Sequence, residues 1–527
     1  MGTISRMARA FWWLPKTRRL ALVVLALVGV CSLAFGCGLS GETGRAAHRP
    51  NIVLILTDDL DMDLLQRHGR SYPNIQKLAA DGTTFENAFV TDPLCCPSRA
   101  TTLRGQYAQN HRILGNWPPL GGAEIFRELG REESTAATWL QEEGYKTALV
   151  GKYMNDYHGS RLPAGWDDWY GISGGHRSQD LNENGRIRHY DPGDFHLDDV
   201  LAEKAAGYVG SPPGSGSPFF LWVGTQAPHA PADPASRHEE AFPDARLPRS
   251  PSFDEGDVSD KPDWVRDNPR LGEVQSMQAL YRDRLRSMLA VDEMVGRLMG
   301  ALRESGELDD TYVFFTSDNG WHAGEHRLTT GKWTAYEEDV RVPLVVSGPG
   351  VPEGKTLPHM VLNNDLAPTF ADLADADAPD FVDGRSLAPL LGEDPSPVDD
   401  WRSAFLVEGA TELGPGSVPP LSGDPLPDFW RRVPREEYWG RPGFEAVRTE
   451  DRIYVEYGDG ERELYDLQRD PHQLDNRYET ADTGLLRSLR GRLAALRGCS
   501  GPGCRAAEAG PDAASGGPST PAGDVHR

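Results

Sequence analysis

Continuous apolar runs alternate with amphipathic stretches from residue 51 to about residue 375. "NIVLILTDD" (Asn51–Asp59) is an apolar run that ends in two carboxylates, the pattern of a buried parallel strand. Further strand candidates are "KTALVGK" (Lys146–Lys152), "PFFLWVGT" (Pro218–Thr225), "TYVFFTSDNG" (Thr311–Gly320) and "VPLVVSGPG" (Val342–Gly350). The best helix candidate runs from about Val274 to Glu304, with apolar residues every three or four positions. Strands that alternate with helices predict an α/β fold, with a large sheet between helices.

The long helix carries one acidic residue on its apolar stripe, Asp292. We interpret it as a core carboxylate whose hydrogen bonds are satisfied, rather than as a catalytic group. The stretch Asp233–Arg270 is rich in Pro, Asp and Ser, and predicts a long loop.

The pattern changes near residue 376, where the alternation weakens. "RIYVEYGDGERELYDL" (Arg452–Leu467) predicts two strands joined around Gly458-Asp459-Gly460, a hairpin. We therefore predict a catalytic domain over residues 50–375 and a smaller C-terminal α+β subdomain over 376–505. Residues 506–527, rich in Gly, Ala, Pro and Ser, predict a disordered tail.

The N-terminus has the features of an export signal over residues 1–37, followed by a linker over 38–49. Basic residues precede the apolar run Leu20–Gly36, which is short for a transmembrane helix. The pair Arg18-Arg19 is compatible with a twin-arginine route, and the residues before Cys37 resemble a lipoprotein cleavage box. Lipid attachment at Cys37 and simple cleavage both stay open. Either way we expect an exported protein, secreted or anchored in the cell envelope, whose only membrane contact is a possible N-terminal lipid anchor.

Charge and cysteine usage narrow the function. The chain of 527 residues has a net charge of −25, which disfavours nucleic acid or an anionic membrane as a partner. It has 6 cysteines. In an oxidising compartment, Cys499 and Cys504 could close a short Gly-Pro-Gly loop, so we predict a disulfide there. Cys95 and Cys96 would then remain unpaired.

Polar residues follow three of the predicted strands. They are Asp58-Asp59, Lys152 and Asp318-Asn319. Ligands of open α/β sheets gather at the carboxyl ends of strands. Three carboxylates and an amide carbonyl suit a hard cation, Ca²⁺ or Mg²⁺, although any one Asp pair taken alone is more often a turn or a helix cap.

"CCPSR" lies between these clusters. Pro97 suits the first turn of a helix, and "SRATTLRGQYAQ" can continue it. Cys95 would then lie at a helix N-terminus, where backbone N–H groups favour an anion. Arg99 would lie on the first turn, where its charge can stabilise a nucleophile.

These residues resemble the sulfatase family, whose signature is C-x-P-S-R. The resemblance implies an alkaline-phosphatase-like fold and the conversion of Cys95 to formylglycine (3-oxoalanine) by a formylglycine-generating enzyme, with Cys96 as the variable position. "GKYMNDY", "APHAP" and "TTGKW" match further motifs of the family, carrying Lys152, His229 and Lys332. The resemblance covers about Asn51 to Asn476.

The resemblance also implies a mechanism. Asp58, Asp59, Asp318, Asn319 and an oxygen of modified Cys95 would bind the metal, and the hydrated aldehyde would attack sulfur. Arg99, Lys152 and Lys332 would neutralise negative charge. His229 and Lys332 are the candidates to protonate the leaving alcohol.

One position departs from many arylsulfatases, which have a histidine where this chain has Met154. "CCPSR", "GKYMNDY" and "GWHAGEH" are more similar to the N-acetylglucosamine-6-sulfatase branch. The branch implies a 6-O-sulfated N-acetylglucosamine or a related sulfated sugar as substrate, with His322 and Asn155 as substrate-binding candidates. A purely structural role for His322 stays open, and His326 is a weaker candidate still.

Three alternatives remain. The chain could be an arylsulfatase, or a phosphonate monoester or phosphodiester hydrolase on the same scaffold. It could also be a non-catalytic metal- or glycan-binding protein if Cys95 stays a thiol. Because the net charge opposes a long polyanion, we expect action on short or terminal saccharides.

Overall fold

The fold is built around a ten-stranded mixed sheet. The computed structural model describes residues 49–175, 178–210, 216–272, 274–410 and 441–510. Across the sheet the strands run in the order β12-β2-β11-β8-β1-β7-β3-β4-β5-β6. Their bounds are β1 Asn51–Thr57, β2 Thr83–Phe89, β3 Lys146–Gly151, β4 Asp168–Ile172, β5 Asp180–Glu183, β6 Arg186–His189, β7 Phe219–Gly224, β8 Thr311–Ser317, β11 Leu344–Ser347 and β12 Lys355–Leu362.

Five neighbouring strands of this sheet are parallel: β8, β1, β7, β3 and β4. The ladder of β1 and β8 is in register from Asn51 with Thr311 to Thr57 with Ser317. Their carboxyl ends therefore lie at one edge of the sheet, which is where the polar clusters follow. Strand β11 joins β8 and β2 in antiparallel fashion, so the sheet is mixed.

Helices cover both faces of the sheet. Alternate residues of β1 show why: Ile52, Leu54 and Leu56 belong to one apolar cluster, and Val53 and Ile55 to another. The helices are α1 Met62–His68, α2 Pro73–Ala80, α3 Cys95–Arg104, α4 Ala108–His111, α5 Gly122–Glu128, α6 Ala136–Glu142, α7 Leu197–Gly210, α8 Asp263–Arg266, α9 Gln275–Ser305, α10 Glu337–Val340, α11 Leu366–Leu373, α12 Thr483–Arg497 and α13 Pro502–Ala509. The prediction of a long helix is confirmed by α9, whose apolar stripe packs against the second cluster.

Asp292 on α9 accepts hydrogen bonds from the backbone N–H groups of Asn74 and Ile75 and from the Asn74 side chain, at 2.8 to 2.9 Å. It therefore caps the start of α2, as a satisfied core carboxylate. The predicted loop over Asp233–Arg270 is largely irregular and contains only a short 3-10 turn (Ser236–His238) and α8.

A second sheet of four antiparallel strands lies in the C-terminal part, in the order β13-β14-β15-β16. Its strands are β13 Ala404–Gly409, β14 Phe444–Thr449, β15 Arg452–Tyr457 and β16 Arg462–Asp466, and the last two form the predicted hairpin. A two-stranded ribbon, β9 (His322–Ala323) with β10 (Thr330–Gly331), lies beyond β8. The domain boundary at residue 375 remains a prediction.

The chain is ordered beyond the predicted start of the tail. Helix α13 extends to Ala509, and Glu508 is fully buried, where it accepts hydrogen bonds from Tyr107, Arg385 and Arg402. The predicted boundary at residue 506 therefore falls inside α13, because a composition rich in Gly and Ala gives no sign that Glu508 is buried and hydrogen-bonded. Cys499 and Cys504 form a disulfide with Cα atoms 4.8 Å apart.

The export signal, Cys37, most of the linker and residues 511–527 lie outside the described residues. Within the described part of the chain, no helix has the length and apolar character needed to cross a membrane.

Candidate active site

Four parallel strands place the predicted polar clusters together. Asp58 and Asp59 follow β1, Asp318 and Asn319 follow β8, Lys152 follows β3, and His229 follows β7 five residues after its last residue. The backbone carries this convergence: the N–H of Asp58 donates to Ala227, and the N–H of Asp318 donates to Thr57. The apolar periodicity predicted the strands, but it does not say which strands are neighbours, and that is seen only in the folded sheet.

Close packing of strand ends fixes Lys152. Gly151 has a φ of +98°, and a Cβ there would lie 1.9 Å from the carbonyl oxygen of Gly224 on β7. Only glycine tolerates both the backbone conformation and the approach. The N–H of Lys152 then donates to that same carbonyl, and its ammonium donates to Asp58 Oδ2 at 2.5 Å.

Helix α3 begins at Cys95 and is buried throughout. Arg99 is the fifth residue of this helix, at the start of the second turn rather than on the predicted first turn. Its Nε donates to Asp318 Oδ2 at 2.7 Å and its Nη1 donates to the carbonyl of Lys152 at 2.9 Å. Arg99 Nη2 is buried with no hydrogen-bond partner in the described part of the chain, so one donor of the guanidinium is available to a ligand oxygen. Cys96 belongs to the apolar cluster that also contains Ala100 and Leu103.

The donor set fits a divalent cation. Ligand atoms of Asp58, Asp59, Cys95 and His229 all lie within 4.8 Å of one another. Asn319 donates to Asp59 Oδ1 at 2.7 Å through Nδ2, and its carbonyl oxygen Oδ1 is buried with no partner among the residues that the structure describes. An orphaned buried amide oxygen beside carboxylates is what a hard cation would satisfy. His229 was not among the predicted metal ligands, although it belongs to this convergent group.

Positive and negative charges balance across the site. Three buried carboxylates, Asp58, Asp59 and Asp318, face three buried cations. The cations are Arg99, Lys152 and Lys332. Lys332 donates to Asp59 and also to Cys95 Sγ, the latter at 2.6 Å. A bound dication would leave this set with a net positive charge, which suits an anionic substrate.

Burial and charge shift several pKa values. Burial, with the Asp58 carboxylate next, raises the pKa of the Cys95 thiol, so an unconverted Cys95 is a protonated thiol at neutral pH. Burial and Asp58 likewise raise the pKa of Asp318. Burial also raises the pKa of Asp59, but the charges of His229 and Lys332 outweigh it and the net shift is downward.

His229 links the carboxylates to the surface. Its Nε2 lies 3.6 Å from Asp59 Oδ2, and its Nδ1 lies 2.6 Å from the carbonyl of Ala230. A hydrogen on Nδ1 therefore donates to that carbonyl, which directs Nε2 toward the reacting groups. Asp59 itself has a φ of +65°, a left-handed conformation that the surrounding structure must hold in place.

His322 is held by a partner that sequence reasoning missed. Its Nδ1 lies 2.8 and 3.0 Å from the two carboxylate oxygens of Asp339, which also accepts from the backbone N–H and the hydroxyl of Thr334. His322 Nε2 is buried with no hydrogen-bond partner among the described residues. The opposing residue on β10 is Gly331, next to Lys332. His326, by contrast, pairs with Glu255 and stacks on Tyr336, a structural position.

Arg284 is a second residue that the sequence did not single out. It lies fully buried on the apolar stripe of α9 and donates to the carbonyls of Asp59 and Pro228, so it fastens the two loops that carry Asp59 and His229. A cation on an apolar stripe is the signal that could have revealed it, as with Asp292. Asn155, the other substrate-binding candidate, is buried, and within the described ranges its Oδ1 has no hydrogen-bond partner.

Comparison with known protein families gives one match to most of the chain. The family model described as "Sulfatase" matches residues 50–376. Among curated proteins, the chain is 33% identical to an N-acetylglucosamine-6-sulfatase of Homo sapiens over 515 residues, which cover 92% of this chain and 90% of that protein. It is also 33% identical to an arylsulfatase of Volvox carteri, over 91% of this chain and 78% of that protein.

Solved structures show the same fold. One is BT4656 in complex with its substrate D-glucosamine-2-N,6-O-disulfate, with a TM-score of 0.68, 25% identity, and 85% of this chain and 97% of that chain covered. Another is a phosphonate monoester hydrolase of Agrobacterium radiobacter, with a TM-score of 0.64, 22% identity, and 85% and 95% covered. The second likeness is evidence for fold alone.

Proposed function

Because this chain belongs to the sulfatase family and is a sulfuric ester hydrolase, we propose that its substrate is a sulfated sugar, the 6-O-sulfate of N-acetylglucosamine or of a related glucosamine. Relatives named N-acetylglucosamine-6-sulfatase match nearly the whole chain, and the ligand named in the BT4656 complex carries a 6-O-sulfate. The observation that carries the proposal is that three buried carboxylates and three buried cations lie together around Cys95, at the start of α3.

We further propose that Cys95 is converted to formylglycine and that Asp58, Asp59, Asp318 and Asn319 hold Ca²⁺ or Mg²⁺. Together, the metal and the hydrated aldehyde would supply an oxygen nucleophile, which a buried thiol of raised pKa does not offer. Peptide mass spectrometry over Asp92–Arg99, on protein from a host with a maturation enzyme, would show an aldehyde. An unmodified thiol there would contradict the mechanism.

The remaining residues bind and neutralise the substrate. Arg99 donates through Nη2 to a sulfate oxygen, and the ammonium groups of Lys152 and Lys332 offset the negative charge that develops there. His229 gives a proton to the oxygen of the leaving sugar through Nε2, with Lys332 as the other proton donor within reach of residue 95. Each of these groups is held by contacts inside the protein, so little reorganisation is needed during the reaction.

Parallel assays test the substrate. Matured enzyme is given N-acetylglucosamine 6-sulfate, its 3-sulfate isomer, an aryl sulfate and a phosphonate monoester, each at several concentrations. We expect the highest kcat/KM for the 6-sulfate. A higher kcat/KM for the aryl sulfate would favour the arylsulfatase alternative, which the Volvox carteri relative supports, and a higher value for the phosphonate would overturn the sugar sulfate proposal.

A further inference from the structure

A cavity of about 440 Å³ lies beside the active site, and His229 is part of its wall. Gln226 and Ala227 line it from the loop after β7, and Gln179, Phe195 and His196 line it from the segments that flank β5 and β6. The cavity therefore joins a proposed catalytic residue to a part of the chain that has no role in the chemistry described above.

The position of His229 determines what this space can receive. His229 reaches Asp59 on one side and lines the cavity on the other. If it protonates the leaving oxygen, that oxygen must come within hydrogen-bond reach, about 3 Å. The sugar bonded to that oxygen then extends from His229 into neighbouring space, and this cavity is large enough for a pyranose ring.

The walls have the chemistry of a sugar site. Phe195 is 46% exposed, and its ring offers an apolar surface on which the C–H face of a pyranose can stack. Gln179 Oε1 is a buried acceptor with no partner among the described residues. His196 is already engaged on both sides, since its Nε2 lies 3.2 Å from the carbonyl of Asp233 and its Nδ1 lies 3.9 Å from Asp198 Oδ2. Sugar hydroxyls and an acetamido N–H are the donors that an acceptor such as Gln179 Oε1 requires.

We infer that this cavity is the subsite for the sugar ring that bears the sulfate, with Phe195 as the stacking surface and Gln179 as the acceptor for a ring hydroxyl or an acetamido N–H. This inference rests on the proposed function, because it assigns a place to the sugar that the function requires. Neither residue touches the carboxylate cluster, so both act on substrate affinity rather than on the reacting atoms.

The test compares three variants of the matured enzyme, after mass spectrometry has shown conversion of residue 95. They are Phe195→Ala, Gln179→Ala and, as a matched control, Ile187→Ala. Ile187 is also 46% exposed, lies on β6 and is not part of the cavity wall. Kinetic constants are measured with N-acetylglucosamine 6-sulfate, and inorganic sulfate is used as a competitive inhibitor that lacks a sugar.

Phe195→Ala and Gln179→Ala should raise KM for the sugar sulfate about tenfold and leave both kcat and the inhibition constant of sulfate within about twofold. Ile187→Ala should change none of these. Calorimetric titration of N-acetylglucosamine 6-sulfate into Cys95→Ala protein, with and without Phe195→Ala, should show the same loss of affinity without turnover.

Two failures are distinguishable. If the wild type cleaves the sugar sulfate but both variants behave as Ile187→Ala does, or lose sulfate inhibition equally, the subsite is wrong and the function stands. If the converted wild type cleaves none of the sulfated sugars, the proposed function is wrong, and the subsite is rejected with it.

Discussion

Cys95 and Cys96 are adjacent and fully buried, yet the structure gives them different surroundings. Cys95 Sγ receives a hydrogen bond from Lys332 and donates to Asp58 Oδ1 at 3.4 Å. Cys96 contacts apolar side chains of the core instead. The helical turn that begins at Cys95 separates the two side chains, so neighbouring residues of one type have unrelated roles.

Substitution of each cysteine by alanine tests this difference. Cys95→Ala should abolish sulfate ester hydrolysis, by about 10³-fold or more, because no nucleophile remains. Cys96→Ala should keep kcat within about twofold and lower the free energy of unfolding by ~1 kcal/mol, since it leaves a small cavity. The measurements are steady-state kinetics and denaturant unfolding. Equal loss of activity in both variants would contradict the assignment.

Asp339 is proposed to position His322. Asp339→Asn removes the carboxylate that accepts from Nδ1, so we expect kcat/KM to fall about tenfold, the effect of one lost oriented hydrogen bond. The neighbouring Glu338→Gln is the matched control. Burial, with the charge of Glu325 next, raises the pKa of Glu338 well above its usual range, which favours the neutral carboxyl that Gln mimics. Kinetics that are indistinguishable between the two variants would remove Asp339 from the site.

At the scale of elements, buried charges join helices that are distant in sequence. Asp292 on α9 caps α2, and Arg284 on the same helix fastens the loops after β1 and β7. The long helix α9 therefore stabilises α2 and positions the two loops that carry Asp59 and His229. Its predicted apolar stripe explains how α9 packs against the second apolar cluster. Asp292 and Arg284 explain its hydrogen bonds to α2 and to the loops of the site.

Removal of the cap on α2 should cost stability and leave activity intact. Asp292→Ala is expected to lower the free energy of unfolding by about 1–2 kcal/mol, because three donors lose their acceptor. Its neighbour Glu293, on the exposed side, pairs with Arg237, and Glu293→Ala should cost less than ~1 kcal/mol. Urea unfolding measured by circular dichroism separates the two values.

The C-terminal helix α13 should contribute more than its composition suggests. Glu508→Ala leaves the buried guanidinium of Arg402 with Asp365 as its remaining carboxylate, and we expect a loss of about 3 kcal/mol. Glu128→Ala, on the exposed end of α5, is the control and should be nearly neutral. A neutral Glu508→Ala would support the earlier tail boundary at residue 506.

At the scale of the molecule, the net charge of −25 opposes the approach of a polyanion. This holds even though the carboxylates of the active site are matched by an equal number of buried cations. We expect kcat/KM to be highest for short saccharides sulfated at a terminal sugar. For longer sulfated chains it should rise as ionic strength increases from about 0.01 M to about 0.15 M, because salt screens the repulsion. Product sizes and rates over a series of chain lengths check this, and rates that increase with length at low salt would contradict it.

The sequence alone determined the fold class and the family, and with the family the class of reaction. Apolar periodicity located the strands and α9, and Cys95, Pro97 and Arg99 together indicated a nucleophile at a helix start. Such signals are local, since period and spacing depend on residues that are neighbours along the chain.

Only the tertiary structure decided which groups meet. The Asp339 partner of His322, the Arg284 tether, the burial of Glu508 and the cavity beside His229 each join residues far apart in sequence. No local pattern specifies such contacts, because they follow from strand order and from helix packing across the sheet. The sequence therefore indicated the chemistry of residue 95, and the packing decided which residues surround it.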